Sequence, residues 1–149
     1  MEYHDALGIE RSRFEDLRDH FTTRTHEGVT YQHLPDYTTA IDRGTVLVGE
    51  TAVAGFPKIP RTLTLETGIP NHFDEEIVVE EKLNGYNVRL AVVDSHVTAE
   101  PHGPLAFTRS GMVCPFTTHE VRERLPLEAF FDANPDLQLC GEMVGPKNP

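Results

Sequence analysis

Short runs of β-branched and apolar residues, each interrupted by glycine, proline, asparagine or aspartate, constrain the fold of this chain most strongly. Runs of about four to eight such residues are typical of strands, and the interrupting residues are typical of turns. Asp94-Ser95 has the place of a hairpin turn. The predicted strands are Thr45–Val48, Thr62–Leu65, Ile77–Glu81, Tyr86–Val93, His96–Glu100, Phe107–Arg109 and Leu137–Glu142.

Two capping-box patterns, Ser12–Glu15 and Thr117–Glu120, mark the starts of predicted helices. The first helix should run from about Arg13 to Phe21, because apolar residues recur there at helical spacing. The second should run toward Leu125. The remaining elements are a polar, irregular segment from Thr22 to Pro35 and a further helical turn or two at Leu127–Ala133, with Phe130 and Phe131 inward. The sum is an α+β fold of mostly antiparallel strands with a few flanking helices.

The chain has 149 residues, enough for one domain. We expect residues 1–40 to form a helical and irregular N-terminal segment and residues 41–149 to form the main domain. No apolar run approaches the roughly 20 residues that a membrane helix needs. Met1–Asp5 lacks the basic and apolar regions of a secretory signal, so we expect a cytoplasmic protein without membrane contact.

The formal net charge is −11, from 24 acidic and 13 basic residues. Two interpretations remain open: an ordinary acidic cytosolic protein, or a salt-adapted, halophile-like one whose fold gains stability with ionic strength. Either interpretation argues against non-specific binding of nucleic acid. A nucleic-acid substrate would have to meet a local patch of arginines.

The two cysteines, Cys114 and Cys140, belong to no CxxC pair and have no nearby histidine at zinc spacing. A disulfide is conceivable but unsupported, because nothing in the chain indicates secretion. We expect two buried, reduced thiols.

Lys82 is the most informative residue, since the chain contains only three lysines. It lies in the run Glu80–Arg89, where a predicted strand reaches it and the tight turn Asn84-Gly85 precedes a second strand. A lysine amine is a nucleophile only when neutral, which requires a site that favours that form. The same spacing also describes an exposed lysine before an ordinary Asn-Gly turn.

The neighbours of Lys82 suit a phosphate site. Gly85 would let the backbone approach a phosphate closely. Asn87 and Arg89 lie on one face of the outgoing strand, because side chains alternate there, and both could point where Lys82 points. Arg109 precedes a glycine turn, and Glu142 ends a strand after a glycine. Each of these last two segments alone also fits a plain surface turn or strand end.

Taken in this order, these segments resemble the covalent nucleotidyltransferases, the family of ATP-dependent polynucleotide ligases and mRNA capping enzymes. Lys82–Gly85 is similar to their KxDG nucleophile motif, Arg109–Gly111 to the following arginine motif, and Gly141-Glu142 to the ribose-binding motif. The chain resembles most closely the archaeal ATP-dependent RNA ligases that circularise RNA, from about Gly44 onward. Further segments that carry this likeness are Gly55–Arg61, Leu63, Leu65, Cys114–Thr117 and Met143–Gly145.

The resemblance implies a ligase-type nucleotidyltransferase fold and a specific activity. Lys82 would attack the α-phosphate of ATP, and the AMP would pass to an RNA 5′-phosphate that a 3′-hydroxyl then seals. Mg²⁺ would offset phosphate charge. Glu80 would face the adenine amine, with Glu81 contributing backbone; Glu142 would bind the ribose and Arg109 the ribose or the RNA end. A homodimer of the complete protein is a further expectation.

Two departures from the family pattern matter. Asn84 replaces the usual aspartate of KxDG, which slightly favours RNA over DNA ligases. The later adenine-stacking aromatic, the metal-binding acid and the KxK lysines have no counterpart before Pro149, so we expect a truncated domain that labels itself poorly with AMP.

Two alternative functions stay open: a DNA ligase or capping-type enzyme, and a nucleotide-binding module without activity. The chain lacks GxxxxGK[ST] and HExxH, which disfavours a P-loop ATPase and a zinc hydrolase.

Overall fold

The N-terminal part of the chain builds a four-stranded antiparallel sheet in the order β1-β2-β3-β4. The computed structural model describes residues 2–59, 66, 70, 76, 78–93, 104–135 and 137–145. Glu27, with a φ of 48°, and Gly28 turn the first hairpin. The strands are β1 (Thr22–His26), β2 (Val29–His33), β3 (Val46–Val48) and β4 (Thr51–Val53).

A second antiparallel sheet follows in the order β6-β5-β7. Its strands are β5 (Tyr86–Val92), β6 (Pro104–Thr108) and β7 (Leu139–Met143). The central strand β5 therefore pairs with both neighbours, and β7 returns from far along the chain to lie beside the start of β5. This return is what brings Glu142 toward the Lys82 segment.

The main core fills the space between the two sheets. Val46 and Val48 of β3 point into it, whereas Leu47 points to the opposite face of the same sheet, as strand alternation requires. That opposite face is covered by α1 (Tyr3–Ala6) and α2 (Arg11–Leu17), whose Phe14 and Leu17 are buried. The main cluster consists of Val29, Tyr31, Val46, Val48, Val53, Ala91, Val93, Leu105 and Phe107.

Helix α3 (Pro115–Arg124) packs against β6, which is an outer strand of the second sheet as far as the described residues show. The Ala106 N–H donates to the Thr118 hydroxyl at 3.0 Å, and the Cys114 N–H donates to the Ala106 carbonyl at 2.8 Å. These two bonds give hydrogen-bond partners to the Ala106 backbone groups on the side of β6 away from β5. Helix α4 (Glu128–Ala133) follows, with Phe131 buried. No helix in the described part of the chain is long and apolar enough to cross a bilayer.

The structure confirms the predicted antiparallel α+β class and several elements. Strands near Thr45–Val48, Tyr86–Val93, Phe107–Arg109 and Leu137–Glu142 are present, as is the helix within Leu127–Ala133. The predictions for Thr62–Leu65, His96–Glu100 and Asp94-Ser95 lie outside the described residues.

Three predictions were wrong. Within Thr22–Pro35, residues Thr22–His33 form a hairpin and not an irregular segment, because Val29 and Tyr31 of its second strand are buried in the core between the two sheets. A strand was predicted at Ile77–Glu81, but residues 78–81, the described part of that range, do not form a strand. Val78 and Val79 are exposed and have no partner strand among the described residues. Both predicted helices are present, but neither capping box caps its helix: α2 begins at Arg11 and α3 at Pro115, and neither start has a side-chain cap.

The predicted burial of the thiols was also wrong, although both cysteines are free. Cys140 is exposed on β7 and Cys114 is half-buried. The pattern of the chain carried no information on which strand lies at the sheet edge, and β7 is an edge strand in the order β6-β5-β7.

Candidate functional site

The site forms where the start of β5 meets the end of β7. Asn87 lies directly opposite Glu142, and Tyr86 lies opposite Met143. Residues directly opposite each other on neighbouring strands project their side chains to the same face. The pairing register therefore places the Asn87 amide and the Glu142 carboxylate side by side, although 55 positions separate them in the sequence.

Gly85 fits this junction because it has no side chain. A β-carbon at this position would collide with the Met143 carbonyl and would lie 3.0 Å from Cγ of Glu142. The close approach of backbone to backbone is the kind of contact that glycine permits. Gly85 thus has a packing reason to be glycine, independent of any phosphate.

Lys82 lies three residues before Gly85 in a segment without helix or strand, so the prediction that a strand ends at Lys82 was wrong. Its side chain is exposed, and its ammonium donates to the Leu83 carbonyl at 3.3 Å. Consecutive Cα atoms are about 3.8 Å apart, so Lys82 lies at most about 11 Å from Gly85. Gly85 lies against Glu142 of β7, so the Lys82 segment leads directly into that contact.

Asn87 presents an acceptor that no described residue uses. Its Oδ1 is buried and lacks a hydrogen-bond partner, whereas its Nδ2 donates to the Gly141 carbonyl at 3.5 Å. Buried polar atoms nearly always have a partner, so an unpaired one calls for an explanation. An acceptor beside the Glu142 carboxylate can receive a donor group of a bound molecule.

The structure places Arg89 differently from the sequence prediction that it points where Lys82 points. Its side chain is fully buried, and its guanidinium donates to the carbonyls of Gly44 and Ala54. Burial lowers the pKa of Arg89, and the nearby Cys140 opposes that effect. Arg89 therefore fastens β5 to the loops around β3 and β4. Its Nε has no partner among the described residues, but the side chain is fully buried and does not face solvent as a phosphate-binding arginine would.

Arg109 is exposed at the tip of a tight turn after β6. Gly111, with a φ of +82°, lies so close to the Gly44 carbonyl that a β-carbon would approach it to 2.8 Å. The buried Nδ1–H of His33 donates to the Ser110 carbonyl at 2.7 Å. These contacts fix the backbone of the turn, and the Arg109 side chain is exposed.

The two acids before Lys82, Glu80 and Glu81, are exposed in the same segment without helix or strand. The described residues contain no group of three or more histidine, cysteine, aspartate or glutamate side chains arranged to hold a metal. Glu80 and Glu81 supply carboxylates near Lys82, but the described residues do not arrange them into a metal-binding group.

Sequence reasoning missed a polar cluster on the other face of β5. The Tyr86 hydroxyl lies 3.8 Å from Sγ of Cys114, which in turn lies 3.0 Å from the Thr117 hydroxyl. Burial raises the pKa of the Cys114 thiol, but the hydrogen bonds of Thr117 and Tyr86 outweigh it and lower the pKa overall. For the other thiol, Cys140, burial raises the pKa, and the positive charge of Arg89 partly offsets that rise. The motif Cys114–Thr117 was noted in the sequence, but its contact with Tyr86 could not be read from it.

The family model for RNA ligases matches residues 75–149, half of the chain, and includes Lys82, Arg109 and Glu142. The chain belongs to the RNA ligase family. Its structure is similar to an archaeal ATP-dependent RNA ligase solved in two forms, with 38% identity and TM-scores of 0.79 and 0.78. The match covers 98% of this chain and 39% of that ligase. The ligase-type nucleotidyltransferase fold is thereby confirmed.

Two further relatives extend the comparison. A proposed ATP-dependent DNA ligase of Aquifex aeolicus is 31% identical with a TM-score of 0.76; the match covers 94% of this chain and 37% of that one. An uncharacterized protein of Methanocaldococcus jannaschii is 44% identical over 112 residues, 73% of this chain and 26% of its own length. The chain thus spans about a quarter to two fifths of the relatives that it matches.

Proposed function

We propose that Lys82 is the nucleophile of an ATP-dependent RNA ligase. Its neutral amine attacks the α-phosphorus of ATP, a phosphorus–nitrogen bond forms, and the bond to the β-phosphate breaks to release pyrophosphate. The proton of the attacking amine leaves to solvent or a nearby carboxylate. Membership in the RNA ligase family and the likeness to an archaeal ATP-dependent RNA ligase support this assignment.

The observation that carries the proposal is the meeting of Gly85 with Glu142. The close contact of Gly85 with β7 keeps the segment of Lys82 beside a carboxylate that arrives from the far end of the described chain. Nucleophilic catalysis depends on groups held within reach of one another. Without β7 beside it, the turn at Asn84-Gly85 would leave Lys82 an ordinary exposed lysine.

The residues around Lys82 suit a nucleoside phosphate. The unpaired Oδ1 of Asn87 and the Glu142 carboxylate are both acceptors, as the hydroxyls of a ribose or the amine of a base require. Glu80 and Glu81 are exposed beside the nucleophile and can meet the base, Glu81 through its backbone. Arg109 is an exposed cation that can hold the ribose or the RNA end.

Mg²⁺ fits this arrangement as an ion carried with the nucleotide. Magnesium keeps several waters and uses one or two carboxylates with substrate phosphates, so it does not need the three-ligand group that the described residues lack. When bound, it would neutralise charge on the phosphates and the departing pyrophosphate. Glu142 and Glu80 are the residues that could contact it.

The AMP would next pass from Lys82 to the terminal phosphate of an RNA 5′ end, giving a 5′–5′ phosphoanhydride and restoring the free amine. A 3′-hydroxyl would then attack the RNA phosphate and release AMP, which seals the strand. RNA is favoured by the family match, and Asn84 in place of aspartate agrees with it. The likeness to a proposed DNA ligase makes DNA the second candidate.

The test is incubation of the purified protein that carries this sequence with α-labelled ATP and Mg²⁺, followed by a denaturing gel and peptide mapping. We expect label on Lys82. Lys82→Arg should abolish the label, because a guanidinium keeps its charge but stays protonated. Arg24→Ala removes an exposed cation on β1 and should label like the unchanged protein.

Label at another residue, or undiminished label in Lys82→Arg, would overturn the assignment. Labelled protein should transfer AMP to a 5′-phosphorylated RNA. Transfer to a nicked DNA duplex in preference to RNA would move the protein to the second candidate.

A further inference from the structure

Three loops meet near an exposed tyrosine. Gly44 packs against the backbone of Arg109, and a β-carbon on Gly55 would lie 2.5 Å from the Arg43 carbonyl. The loops that carry Arg43, Lys58 and Arg109 are therefore held together, although they are far apart in the sequence. We call Tyr37, Arg43, Lys58 and Arg109 the Tyr37 cluster.

Tyr37 presents its ring to solvent, with 58% of its surface exposed. The Arg43 guanidinium lies over that ring, 5.2 Å from its centroid, and its Nε donates to the Pro35 carbonyl at 2.6 Å. The hydrogen bond fixes Arg43 in place, and the ring contact is a cation–π interaction. An exposed aromatic residue is thus held rigidly beside a cation.

Among the described residues, no carboxylate forms an ion pair with the cations of the Tyr37 cluster. Contact with Arg43 lowers the pKa of Tyr37 most, and the charges of Arg109 and Lys58 lower it further. Elsewhere Arg11, Arg18, Arg122 and Arg124 each pair with a glutamate. Within the described residues, no ion pair involves Arg43, Lys58 or Arg109, although Asp36 and Asp42 adjoin the cluster in sequence.

This arrangement is unusual for a protein with a net charge of −11. Three neighbouring cations repel one another, and none of the carboxylates in the described part of the chain forms an ion pair with them. A polyanion would relieve that repulsion, and an exposed ring would add a surface for stacking. Single-stranded nucleic acids bind through this combination of cations for the backbone and aromatics for the bases.

We propose that the Tyr37 cluster is a docking surface for single-stranded RNA, in which Tyr37 stacks on a base and Arg43 and Lys58 contact phosphates. The identity of that RNA as the substrate rests on the proposed ligase function. Both regions depend on β5, since Arg89 of that strand donates to Gly44 and Ala54, which adjoin Arg43 and Gly55. The Tyr37 cluster, where the RNA would bind, and the Lys82 segment are therefore both held in place by β5.

The experiment measures the Kd of a fluorescent, 5′-phosphorylated single-stranded RNA by anisotropy between about 50 and 200 mM KCl. Tyr37→Ala should raise the Kd about tenfold, because it removes one stacked base. Tyr37→Phe keeps the ring and should stay close to the unchanged protein. Lys58→Ala should lower the slope of log K against log salt by about 0.7, the value for one phosphate of a single strand.

Arg24→Ala is the matched control, since it removes an exposed arginine on β1 outside the cluster and should change neither quantity. Inorganic polyphosphate serves as a second probe. Its binding should respond to Lys58→Ala but not to Tyr37→Ala, and equal sensitivity to both would overturn the stacking role.

The inference and the proposed function fail separately. If Lys82 becomes labelled with AMP but Tyr37→Ala and Lys58→Ala bind RNA like the unchanged protein, the cluster is not a docking surface. If the unchanged protein binds no RNA, the inference is also overturned. If labelling fails but Tyr37→Ala weakens RNA binding, the docking surface stands and the ligase assignment falls.

Discussion

The two sheets share one core but differ in what covers them. The β1–β4 sheet is covered on both faces, by the inter-sheet core on one side and by α1 and α2 on the other, and all of β3 is buried. In the second sheet, β7 is an edge strand whose Cys140 and Gly141 are exposed. The first sheet therefore serves mainly to bury apolar side chains in the core. The second sheet leaves polar side chains accessible to solvent where β5 and β7 meet.

Replacement of Arg89 should break the connection between the two sheets and have the largest effect. Arg89→Ala would leave the buried Gly44 carbonyl without a donor, at about 1–3 kcal/mol, whereas the Ala54 carbonyl would keep its hydrogen bond from Gln138. Removal of a fully buried side chain also leaves a cavity, so we expect a total loss of about 2–5 kcal/mol in the free energy of unfolding, measured by denaturant titration.

Arg109→Ala is the control for that measurement, because Arg109 is exposed and its removal should change the stability by about 0.5 kcal/mol or less. Equal losses from the two variants would mean that Arg89 does not join the sheets.

Replacement of a glycine tests the open junction of the second sheet. Gly85→Ala would force a β-carbon against the Met143 carbonyl, so β5 and β7 must separate locally. We expect a loss of about 1–3 kcal/mol in stability and weaker AMP labelling of Lys82.

Gly141→Ala lies on the same pair of strands and meets nothing within 4 Å, so its stability should change by about 0.5 kcal/mol or less. A harmless Gly85→Ala would show that the contact between Gly85 and β7 does not hold the site.

The smallest expected effect concerns the two thiols of the second sheet and its helix. The pKa of Cys114 is lowered and that of Cys140 is raised, so at neutral pH a larger fraction of Cys114 is thiolate. Because the thiolate is the nucleophile, iodoacetamide should alkylate Cys114 severalfold faster, although Cys140 is the more exposed.

Peptide mass spectrometry over time measures both rates. The advantage of Cys114 should shrink as the pH rises past the usual thiol pKa of about 8.5, where both thiols ionise. Thr117→Val removes a hydrogen bond to Cys114 and should slow its reaction. Faster alkylation of Cys140 throughout would show that exposure outweighs the pKa difference.

Local patterns in the sequence were enough to predict the strands whose own residues are β-branched or apolar. The β-branched runs predicted β3, β5 and β7, and the family resemblance predicted the fold that the comparisons confirm. The hairpin β1–β2 was missed because its exposed strand β1 carries polar residues, and only pairing with β2 makes it a strand.

The role of a side chain was harder to predict than its strand. The period of two correctly placed Asn87 and Arg89 on one face of β5, but it carried no information on what lies over that face. The loops of Gly44 and Ala54 reach Arg89 and bury it, whereas Asn87 near the strand end keeps an unpaired oxygen. Tyr37 and Arg43 lie in a loop without a motif, and only tertiary contacts bring Lys58 and Arg109 to them.

The pairing of Asn87 with Glu142 also limits how the chain can change length. Successive residues of a strand face opposite sides, so a shift by one residue turns every side chain of that strand over. Deletion of one residue between α4 and Glu142 that slid β7 along β5 would bring Gly141 or Met143 to the place of the carboxylate. Point substitutions on this exposed strand should therefore be tolerated far better than insertions or deletions beside it.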